Sequence, residues 1–428
     1  MSSGNSSMEA CGVRSRTNFV PRRQGDRGSA FEDALDLLAA MVAIPTESRK
    51  PNAALVDLVS ERAEAAGADL KRVEGPAGRA NLHVRFGPEA PGGVLVSGHT
   101  DVVPAGSGWT SDPYQLAVDG ERLLGRGTAD MKGFIACALA VACRSDISGW
   151  TAPLHLCLSY DEEIGCVGVA SLLSRLAVDP LVAPRVVLVG EPTELTLCTS
   201  HSGKVTYTLR ASCDPGHSSL APTRTNALDQ VVAVARAVIE VGSRAAEVGG
   251  STNVGTLWGG TAVNVLAAAA EVSFECRHQY CSDPQEMLSG VWSQVEKARS
   301  AMSKLEGGLE VVCDTRYPAL FTREDDPEVR FLADLTGRSC AGHLPFGCEA
   351  GLYAEALAVP AVVFGPGSIS NAHRPDEFVT RKQLVETCST LRVVLDGYCR
   401  SGCPPRQAPD PNRRHASADP IPNMRFKT

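Results

Sequence analysis

From Ala30 onward, the apolar positions of the chain form regular patterns. Two stretches with a helical period, around residues 31–43 and 53–67, come first and are separated by a polar turn that contains Pro45. Short apolar runs then alternate with helix-period segments, which is typical of an α/β sheet covered by helices on both faces. The predicted strands are 93–97, 153–160, 185–189 and 360–364, and the predicted helices are 131–143, 167–177 and 381–397.

The segment from about 200 to 312 has a different pattern. An alternating strand at 205–213 is followed by a long helix at 226–248, and strands at 251–260 and 267–277 precede a helix at 283–303. This β-α-β-β-α order favours a small, open-faced α+β domain inserted into the first domain. A chain of 428 residues also favours two domains, because single cores rarely grow beyond about 250–300 residues.

Both ends of the chain lack such periodicity. Residues 1–28 are predicted to be a flexible extension, and the Pro- and Arg-rich residues 401–428 are predicted to be a disordered tail. No apolar run approaches the roughly 20 residues that a bilayer span requires. The N-terminus also lacks the apolar stretch of a secretion signal, so a cytoplasmic protein that does not bind membranes is expected.

Composition narrows the class of partner. Apolar residues make up 43% of the chain and charged residues 21%, as in soluble globular proteins. The net charge of −8, with acids and bases interspersed, argues against a nucleic-acid partner, because phosphate binding needs a basic face. The 15 cysteines lie mostly in apolar segments, where a thiol behaves as a small hydrophobe, and reduced thiols fit better than a disulfide framework.

Candidate chemistry lies where the predicted strands of the first domain end. In open α/β sheets, ligands bind beyond the carboxyl ends of the strands, so loops at these ends converge. Each of the four strands runs into a loop that carries an acid or a histidine. These residues are His99 and Asp101 after the first strand, Glu162 and Glu163 after the second, Glu191 after the third and His373 after the fourth; Asp130, in GRGTADMKG, precedes a helix.

Imidazole and carboxylate side chains together suit zinc, and no thiolate is required. Two ions about 3.5–4 Å apart need a shared ligand, which a lone aspartate such as Asp130 can provide between two ligand sets. Glu162 and Glu163 are adjacent and point apart in an extended loop, so one can ligate while the other handles a water proton. Asp101 can accept the other ring N–H of His99 and fix its tautomer. One ion would bind His99, Asp130 and Glu191, and the other Asp130, Glu163 and His373.

Taken singly, each of these residues is also typical of a structural histidine or a solvated acid. Their repetition at successive strand ends is what favours a metal site. The string GRGTAD resembles a dinucleotide-binding glycine loop, but Asp130 stands where the third glycine would be, which argues against that interpretation.

The strings SGHTDVVP, GRGTADMKG, SYDEE, GEPT, GHSS and GPGSISNAHRPDE together resemble the M20 metallopeptidase family, and within it the acetylornithine deacetylase branch. The match runs from about residue 32 to 397, in the family's order and spacing. It implies a zinc-peptidase-like α/β catalytic domain (29–198 and 313–400) with an inserted α+β lid domain (199–312), through which members form homodimers. It also implies two divalent ions per subunit, zinc or cobalt, and hydrolysis of an N-acyl amino acid, N2-acetyl-L-ornithine first.

The resemblance assigns roles residue by residue. It makes His99, Asp130, Glu163, Glu191 and His373 the metal ligands, with Asp130 bridging, Glu162 the general base and Asp101 the partner of His99. It also implies a cis peptide bond between Asp130 and Met131.

For the substrate, the resemblance points mainly to the lid domain. His217 matches a histidine that stabilises the oxyanion, often in the partner subunit's site, and Asn264 and Arg277 match positions that hold the substrate. Gly367 and Ser368 belong to a loop matched to a backbone cradle for the substrate carboxylate. Glu349, in GCEAG, can face the cationic ornithine side chain.

Two segments depart from the family pattern. His201-Ser202-Gly203 replaces the usual His-Lys-Gly, and His278 follows Arg277 where a proline is usual. Both lie in the lid domain, so they bear on substrate preference rather than on hydrolysis. The alternatives within the family are a succinyl-diaminopimelate desuccinylase, a broad aminoacylase and a dipeptidase. A non-enzymatic binding protein is disfavoured because all ligand positions and Glu162 are occupied.

Overall fold

The computed structural model of the protein describes residues 17–18, 28–221, 223–224, 226–303, 307–400 and 425–426. Apart from residue 28 and the two-residue strands at Thr17–Asn18 and Arg425–Phe426, the predicted extension (1–28) and tail (401–428) lie outside the described residues.

The predicted helices are all present and begin and end close to the predicted positions, whereas helices at Pro327–Thr336 and Ala350–Leu357 were not predicted. α1 starts with a capping box in which the Ser29 hydroxyl accepts from the Glu32 N–H and the Glu32 carboxylate accepts from the Ser29 N–H. Thr380 and Gln383 form the same motif at the start of the last helix. The helices are α1 (Ala30–Val42), α2 (Ala53–Ala65), α3 (Lys132–Arg144), α4 (Val169–Leu176), α5 (Ala227–Glu247), α6 (Pro284–Met287), α7 (Ser289–Ser303), α8 (Pro327–Thr336), α9 (Ala350–Leu357) and α10 (Arg381–Leu395).

The described strands include all those predicted and several more. In chain order they are β1 (Thr17–Asn18), β2 (Asp69–Glu74), β3 (Ala80–Phe86), β4 (Val94–His99), β5 (Ala117–Asp119), β6 (Arg122–Leu124), β7 (Leu154–Ser159), β8 (Val186–Val189), β9 (Leu197–His201), β10 (Gly203–Ser212), β11 (Gly216–His217), β12 (Ser251–Gly259), β13 (Val265–Leu266), β14 (Ala269–His278), β15 (Gly308–Tyr317), β16 (Leu320–Phe321), β17 (Cys340–Leu344), β18 (Ala361–Val363), β19 (Phe378–Thr380) and β20 (Arg425–Phe426).

A nine-stranded sheet contains the four strands predicted to carry the site. Its order is β16-β9-β18-β8-β4-β7-β3-β2, with β17 paired to β9. The four neighbours β18, β8, β4 and β7 run parallel to one another. Their carboxyl ends therefore open at the same edge of the sheet, where the predicted ligand loops follow.

Helices cover both faces of this sheet because successive strand residues point to opposite sides. Val94 and Val96 join the cluster formed with α1, α2, α3 and α10, whereas Leu95 and Val187 join the cluster formed with α4 and α9. Full burial of each such side chain stabilises the fold by about 1.5–3 kcal/mol.

The inserted segment supplies most of a second sheet, of order β12-β14-β10-β15-β20, to which β20 from near the C-terminal end adds an edge strand. One face packs against α5 and α7, with Tyr207 edge-on to Trp292 at a ring separation of 4.8 Å. The other face carries polar side chains, as predicted for an open-faced sheet. Only Ser202 separates β9 of the first sheet from β10 of the second, so the two sheets are directly joined.

Two expectations from composition can be compared with the described residues. No helix among them combines the length and apolar character that crossing a bilayer would require. No disulfide joins their cysteines, most of which are buried.

Candidate metal centre

Asp130 lies at the centre of the candidate site, and its two carboxylate oxygens face different histidines. Oδ1 is 3.0 Å from Nε2 of His99, and Oδ2 is 3.2 Å from Nε2 of His373. The side chain is buried between the loops that follow β4 and β18. A carboxylate in this position can bridge two cations.

Each histidine also faces a second acid. Nε2 of His99 is 3.8 Å from Oε1 of Glu191, and Nε2 of His373 is 2.9 Å from Oε2 of Glu163. The ligand atoms of His99, Asp130 and Glu163 all lie within 4.8 Å of one another, as do those of His99, Glu162 and Glu191. The structure thus brings the five residues predicted as ligands together with Glu162.

Asp101 positions both a histidine and the acid loop. Nδ1 of His99 is 2.9 Å from the main-chain carbonyl of Asp101 and 3.6 Å from its carboxylate, so the closer partner of the ring is the main chain. The carboxylate accepts the N–H groups of Glu162 at 3.0 Å and of Glu163 at 3.3 Å, and the hydroxyl of Ser48 at 2.8 Å. Asp101 therefore fixes the loop after β7 relative to the loop after β4.

The acid loop after β7 begins with a buried ion pair. The Asp161 carboxylate pairs with Arg79 and accepts the Arg49 N–H at 2.6 Å. Asp161 has a φ of 55°, a left-handed conformation that turns the chain sharply. Beyond this turn the two glutamates diverge, because Glu163 faces His373 and Glu162 faces the thiol of Cys166.

Glu377 holds the loop that carries Asp130, and the sequence analysis did not identify it. Its Oε1 accepts the N–H groups of Ala129 at 2.9 Å and Asp130 at 3.1 Å. Its Oε2 accepts the N–H of Gly127 at 3.0 Å and the guanidinium of Arg126 at 2.7 Å. The signal was an acid four residues after His373, within HRPDE. The cis peptide bond between Asp130 and Met131 is present, which confirms that prediction.

The electrostatics of the cluster fit bound cations. Burial, reinforced by neighbouring carboxylates, raises the pKa of Glu162 to about 7 and that of Glu163 to about 8, and it raises the pKa of Glu191 well above its usual range. Burial opposes ionisation of Asp130 too, but hydrogen bonds from His373 and His99 hold its pKa below the usual range. Buried carboxylates that repel one another are stabilised by metal ions, and the imidazole–carboxylate donor set suits zinc.

The loop predicted to cradle the substrate carboxylate packs against the Asp130 loop. Gly367 has a φ of 83°, and a Cβ there would lie 2.8 Å from Cβ of Ala129, so both conformation and space require glycine. Ser368 forms an antiparallel bridge with Thr193 at the loop that follows Glu191. The cradle and the candidate ligands are therefore adjacent.

Glu349 lies immediately before α9 and is only 1% exposed. Burial raises its pKa to about 7, and the charges of His99 and Asp101 also act on it. Its Oε1 has no hydrogen-bond partner among the described residues. The side chain therefore lies inside the protein beside the cluster rather than on an open surface.

The predicted substrate residues of the inserted domain have hydrogen-bond or ion-pair partners of their own. His217 is exposed, and its Nδ1 is 2.9 Å from the Ser219 hydroxyl. Asn264 is also exposed, and its carbonyl accepts the Ser218 N–H at 3.1 Å. Arg277 lies on the open face of the second sheet and pairs with Glu275 at 3.0 Å. Within the described residues, none of these three forms a hydrogen bond or ion pair with the metal cluster.

Comparison with solved structures relates this architecture to known folds. The M20 family metallo-carboxypeptidase Sso-CP2 from Sulfolobus solfataricus aligns with a TM-score of 0.68 at 15% identity, over 85% of this chain and 98% of that one. A dinuclear metal-binding M20 peptidase from Bacillus subtilis aligns with a TM-score of 0.58 at 14% identity, over 86% and 98%. These neighbours confirm the predicted fold class.

Sequence comparison extends the relationship to the family. Acetylornithine deacetylase from Myxococcus xanthus is 31% identical over 382 residues, which cover 85% of this chain and 96% of that protein. Its counterpart from Pasteurella multocida (strain Pm70) is 28% identical over 386 residues, covering 85% and 98%. The model of peptidase family M20/M25/M40 matches residues 95–396. The chain therefore belongs to peptidase family M20/M25/M40 and is a metal-dependent amidohydrolase.

Proposed function

We propose that the protein is a two-zinc deacetylase that hydrolyses N2-acetyl-L-ornithine to L-ornithine and acetate, in the cytoplasm and as a step of arginine biosynthesis. The arrangement of Asp130 between His99 and His373 carries the two-metal part of the proposal. The similarity to acetylornithine deacetylases over most of the chain supports the substrate.

The geometry supports the following roles. His99, Asp130 and Glu191 would hold one ion, and Asp130, Glu163 and His373 the other. When bound, zinc would polarise the amide carbonyl and lower the pKa of the attacking water towards about 7. Glu162 removes the proton of the attacking water and returns it to the leaving nitrogen as the C–N bond breaks.

The substrate side of the proposal uses the inserted domain. Arg277 would bind the α-carboxylate with its planar guanidinium, together with Asn264 and the backbone at Gly367 and Ser368. His217 would donate a hydrogen bond where negative charge develops on the carbonyl oxygen. Binding of the α-carboxylate by Arg277 would replace the ion pair between Arg277 and Glu275.

A homodimer through the inserted domain would bring His217 to the partner subunit's site. Strand β12 is an edge of the second sheet, and exposed apolar side chains lie on or near it. Trp258 is 61% exposed and Val263 is fully exposed. Exposed apolar groups beside an open sheet edge favour association.

Mixing subunits tests this shared site. Inactive His217→Ala and inactive Glu162→Ala subunits, when mixed, should restore part of the activity. No rescue after verified subunit exchange would argue against the shared site.

The substrate and the metal can be tested together. Protein stripped by a chelator and reloaded with zinc or cobalt should hold two ions per chain. Reloaded protein should cleave N2-acetyl-ornithine faster than acetyl-methionine, succinyl-diaminopimelate or a dipeptide. Failure to cleave any of these with two ions bound would refute the proposed hydrolysis, and a preference for the succinyl compound would refute only the substrate.

Glu349 provides a narrower test of the substrate. If its carboxylate attracts the ornithine ammonium, Glu349→Gln should reduce kcat/KM for acetyl-ornithine by about tenfold more than for acetyl-methionine, which lacks that charge. Equal losses on both substrates would instead show that the buried carboxylate supports the structure of the site.

A further inference from the structure

A buried thiol contacts the proposed general base. The Cys166 S–H donates to Oε1 of Glu162 at a sulfur–oxygen distance of 3.3 Å. The same two residues are joined through the main chain, where the Cys166 N–H donates to the Glu162 carbonyl at 2.7 Å. Cys166 is 4% exposed, so water does not compete freely for this contact. Cys166 and Glu162 therefore lie in one turn that a side-chain and a main-chain hydrogen bond hold together.

The backbone of this turn is fixed from several sides. Cys166 has a φ of 57° and Gly165 a φ of 109°, conformations that L residues adopt only at a cost of about 1–2 kcal/mol. A Cβ on Gly165 would overlap the Thr315 side chain of the second sheet, and a Cβ on Gly168 would overlap Tyr160. The surrounding structure thus holds the strained residue that presents the thiol.

We propose that Cys166 is a positioning residue for hydrolysis, whose S–H fixes Oε1 of Glu162 and leaves Oε2 free to accept the proton of the attacking water. This inference rests on the role of Glu162 proposed above. The thiol keeps its own proton throughout the reaction, and the proton that moves is the one between water, Glu162 and the leaving nitrogen. Cys166 therefore acts through Glu162 and does not touch the substrate.

A thiol suits this role because it is a weak hydrogen-bond donor. A strong donor would stabilise the carboxylate and make it a poorer base, whereas a weak donor orients it at little cost in basicity. The group is protonated at neutral pH, since a free thiol has a pKa of about 8.5. Burial and the neighbouring carboxylates raise the pKa of Cys166 further.

Cys348 offers a matched control. It is also buried, at 1% exposure, and the charges of Glu191 and Glu162 act on it. Within the described residues it forms no hydrogen bond with Glu162, whose thiol partner is Cys166. Replacing Cys348 removes the same volume from the same neighbourhood without removing the contact that the proposal invokes.

The first experiment compares four variants of the zinc-loaded protein with acetyl-ornithine as the probe substrate. Cys166→Ala should lower kcat by about tenfold, at the lower end of the effect of residues that orient a metal site. KM and the zinc content should stay unchanged, because neither the substrate nor a ligand is touched. Cys166→Ser should recover only part of the loss, since a hydroxyl also orients the carboxylate but, as a stronger donor, lowers its basicity. Cys348→Ala should stay near the wild-type rate. Cys166→Gly is a second thiol-free variant that suits a φ of 57° if the alanine variant folds poorly.

The second experiment repeats Cys166→Ala in a Glu162→Ala background, where the contact no longer exists. A residue that acts only through Glu162 should cost no further activity there. Wild-type kcat in both thiol-free variants, or a loss that persists without Glu162, would overturn the inference. A failure of the proposed function would give a different result from a failure of this inference. If the proposed function is wrong, Glu162→Ala will retain full activity or the wild-type protein will cleave no acyl amino acid.

Discussion

The two sheets of this molecule present their candidate functional groups in different ways. The nine-stranded sheet carries them in loops at the ends of parallel strands, where Asp101 and Glu377 tie one loop to the next. The five-stranded sheet carries Arg277 within a strand, on an open face where its recorded partner is a neighbouring glutamate. The first arrangement builds a fixed site inside one domain. The second presents groups towards a surface, which suits a substrate or a second subunit approaching from outside.

The junction of the sheets contains both segments that depart from the family pattern. The Ser202 hydroxyl is 2.9 Å from Nε2 of His343, and the Gln279 amide is 3.1 Å from the same nitrogen. A Cβ on Gly203 would overlap the ring of His278. The two departures therefore contact each other where β9 leads into β10, which places them at the connection between the domains.

Removing Asp130, the proposed bridging acid, should have the largest effect. Asp130→Ala should lose both metal ions and reduce hydrolysis to background, because each carboxylate oxygen faces a different histidine. Metal analysis and kcat with acetyl-ornithine measure this. Asp69→Asn, an exposed carboxylate on edge strand β2, is the matched control and should retain both. Two retained ions in Asp130→Ala would show that the strand-end loops do not build a shared site.

Weakening the support of the loop that carries Asp130 should have the second-largest effect. Glu377→Gln replaces an acceptor of four hydrogen bonds with an amide, so metal affinity should fall by about 10- to 100-fold. It also leaves Arg126 buried without its counter-charge, which should lower the free energy of unfolding by about 3–5 kcal/mol. Glu386→Gln, in a half-exposed ion pair on α10, should change neither by much. If the two variants have the same metal affinity, Glu377 does not support the metal site.

The open face of the second sheet should give a smaller effect, confined to substrate binding. Arg277→Ala should reduce kcat/KM by roughly tenfold or more, since a charged hydrogen bond contributes about 1.5–3 kcal/mol, and metal content should not change. Arg210→Ala is the control, because Arg210 lies on the same face and pairs with Glu271 at 2.6 Å. Steady-state kinetics with acetyl-ornithine distinguish them. A loss of bound metal in Arg277→Ala would show that Arg277 supports the metal site and does not act only on the substrate.

The sequence predicted the nine-stranded sheet and its site better than it predicted the five-stranded sheet. The four central strands are short apolar runs followed by acids or histidines, so both the strands and their convergence were predictable. Strand β2 was missed because four of its six residues are charged and it lies at an edge that water reaches, so it lacks the apolar run of the central strands. Glu377 was missed because it binds backbone N–H groups, a partner that no spacing of side chains reveals. Cys166 lies in a turn with positive φ, and its contact with Glu162 depends on that local conformation.

The positions of the lid residues were the least predictable part. The pattern indicated an open-faced sheet, which the structure contains. It did not indicate that His217 and Asn264 would lie together beside the short β11–β13 pairing. Contacts between domains or subunits depend on surfaces that come from distant segments, and local periodicity does not encode them. Their proposed roles therefore depend on the subunit-mixing and kinetic tests.

The smallest expected effect concerns histidines on the face of the first sheet rather than at its edge. His83 and His155 lie in mid-strand, with Nε2 of His83 2.9 Å from Nδ1 of His155. Burial, followed for His83 by the charge of Lys71, lowers its pKa to about 4, and burial together with the charge of His83 lowers the pKa of His155 to about 3. Both rings are therefore neutral in the folded protein near pH 7.

The sign of the pH dependence follows from these shifts. Above pH 6.5 both rings are neutral in the folded and unfolded states, so they contribute no pH dependence. As the pH falls from about 6.5 towards 4, the unfolded chain binds a proton at each ring and the folded protein does not. The free energy of unfolding should then fall by up to about 1.4 kcal/mol per pH unit for each histidine, and this loss should stop below the folded pKa values. A His83→Gln/His155→Gln double variant should lack this component, as urea denaturation at pH 7.5, 6 and 5 can measure. A double variant that loses stability on acidification as steeply as the wild type would show that these mid-strand rings accept protons in the folded protein, and would remove the distinction between the face of the sheet and its edge.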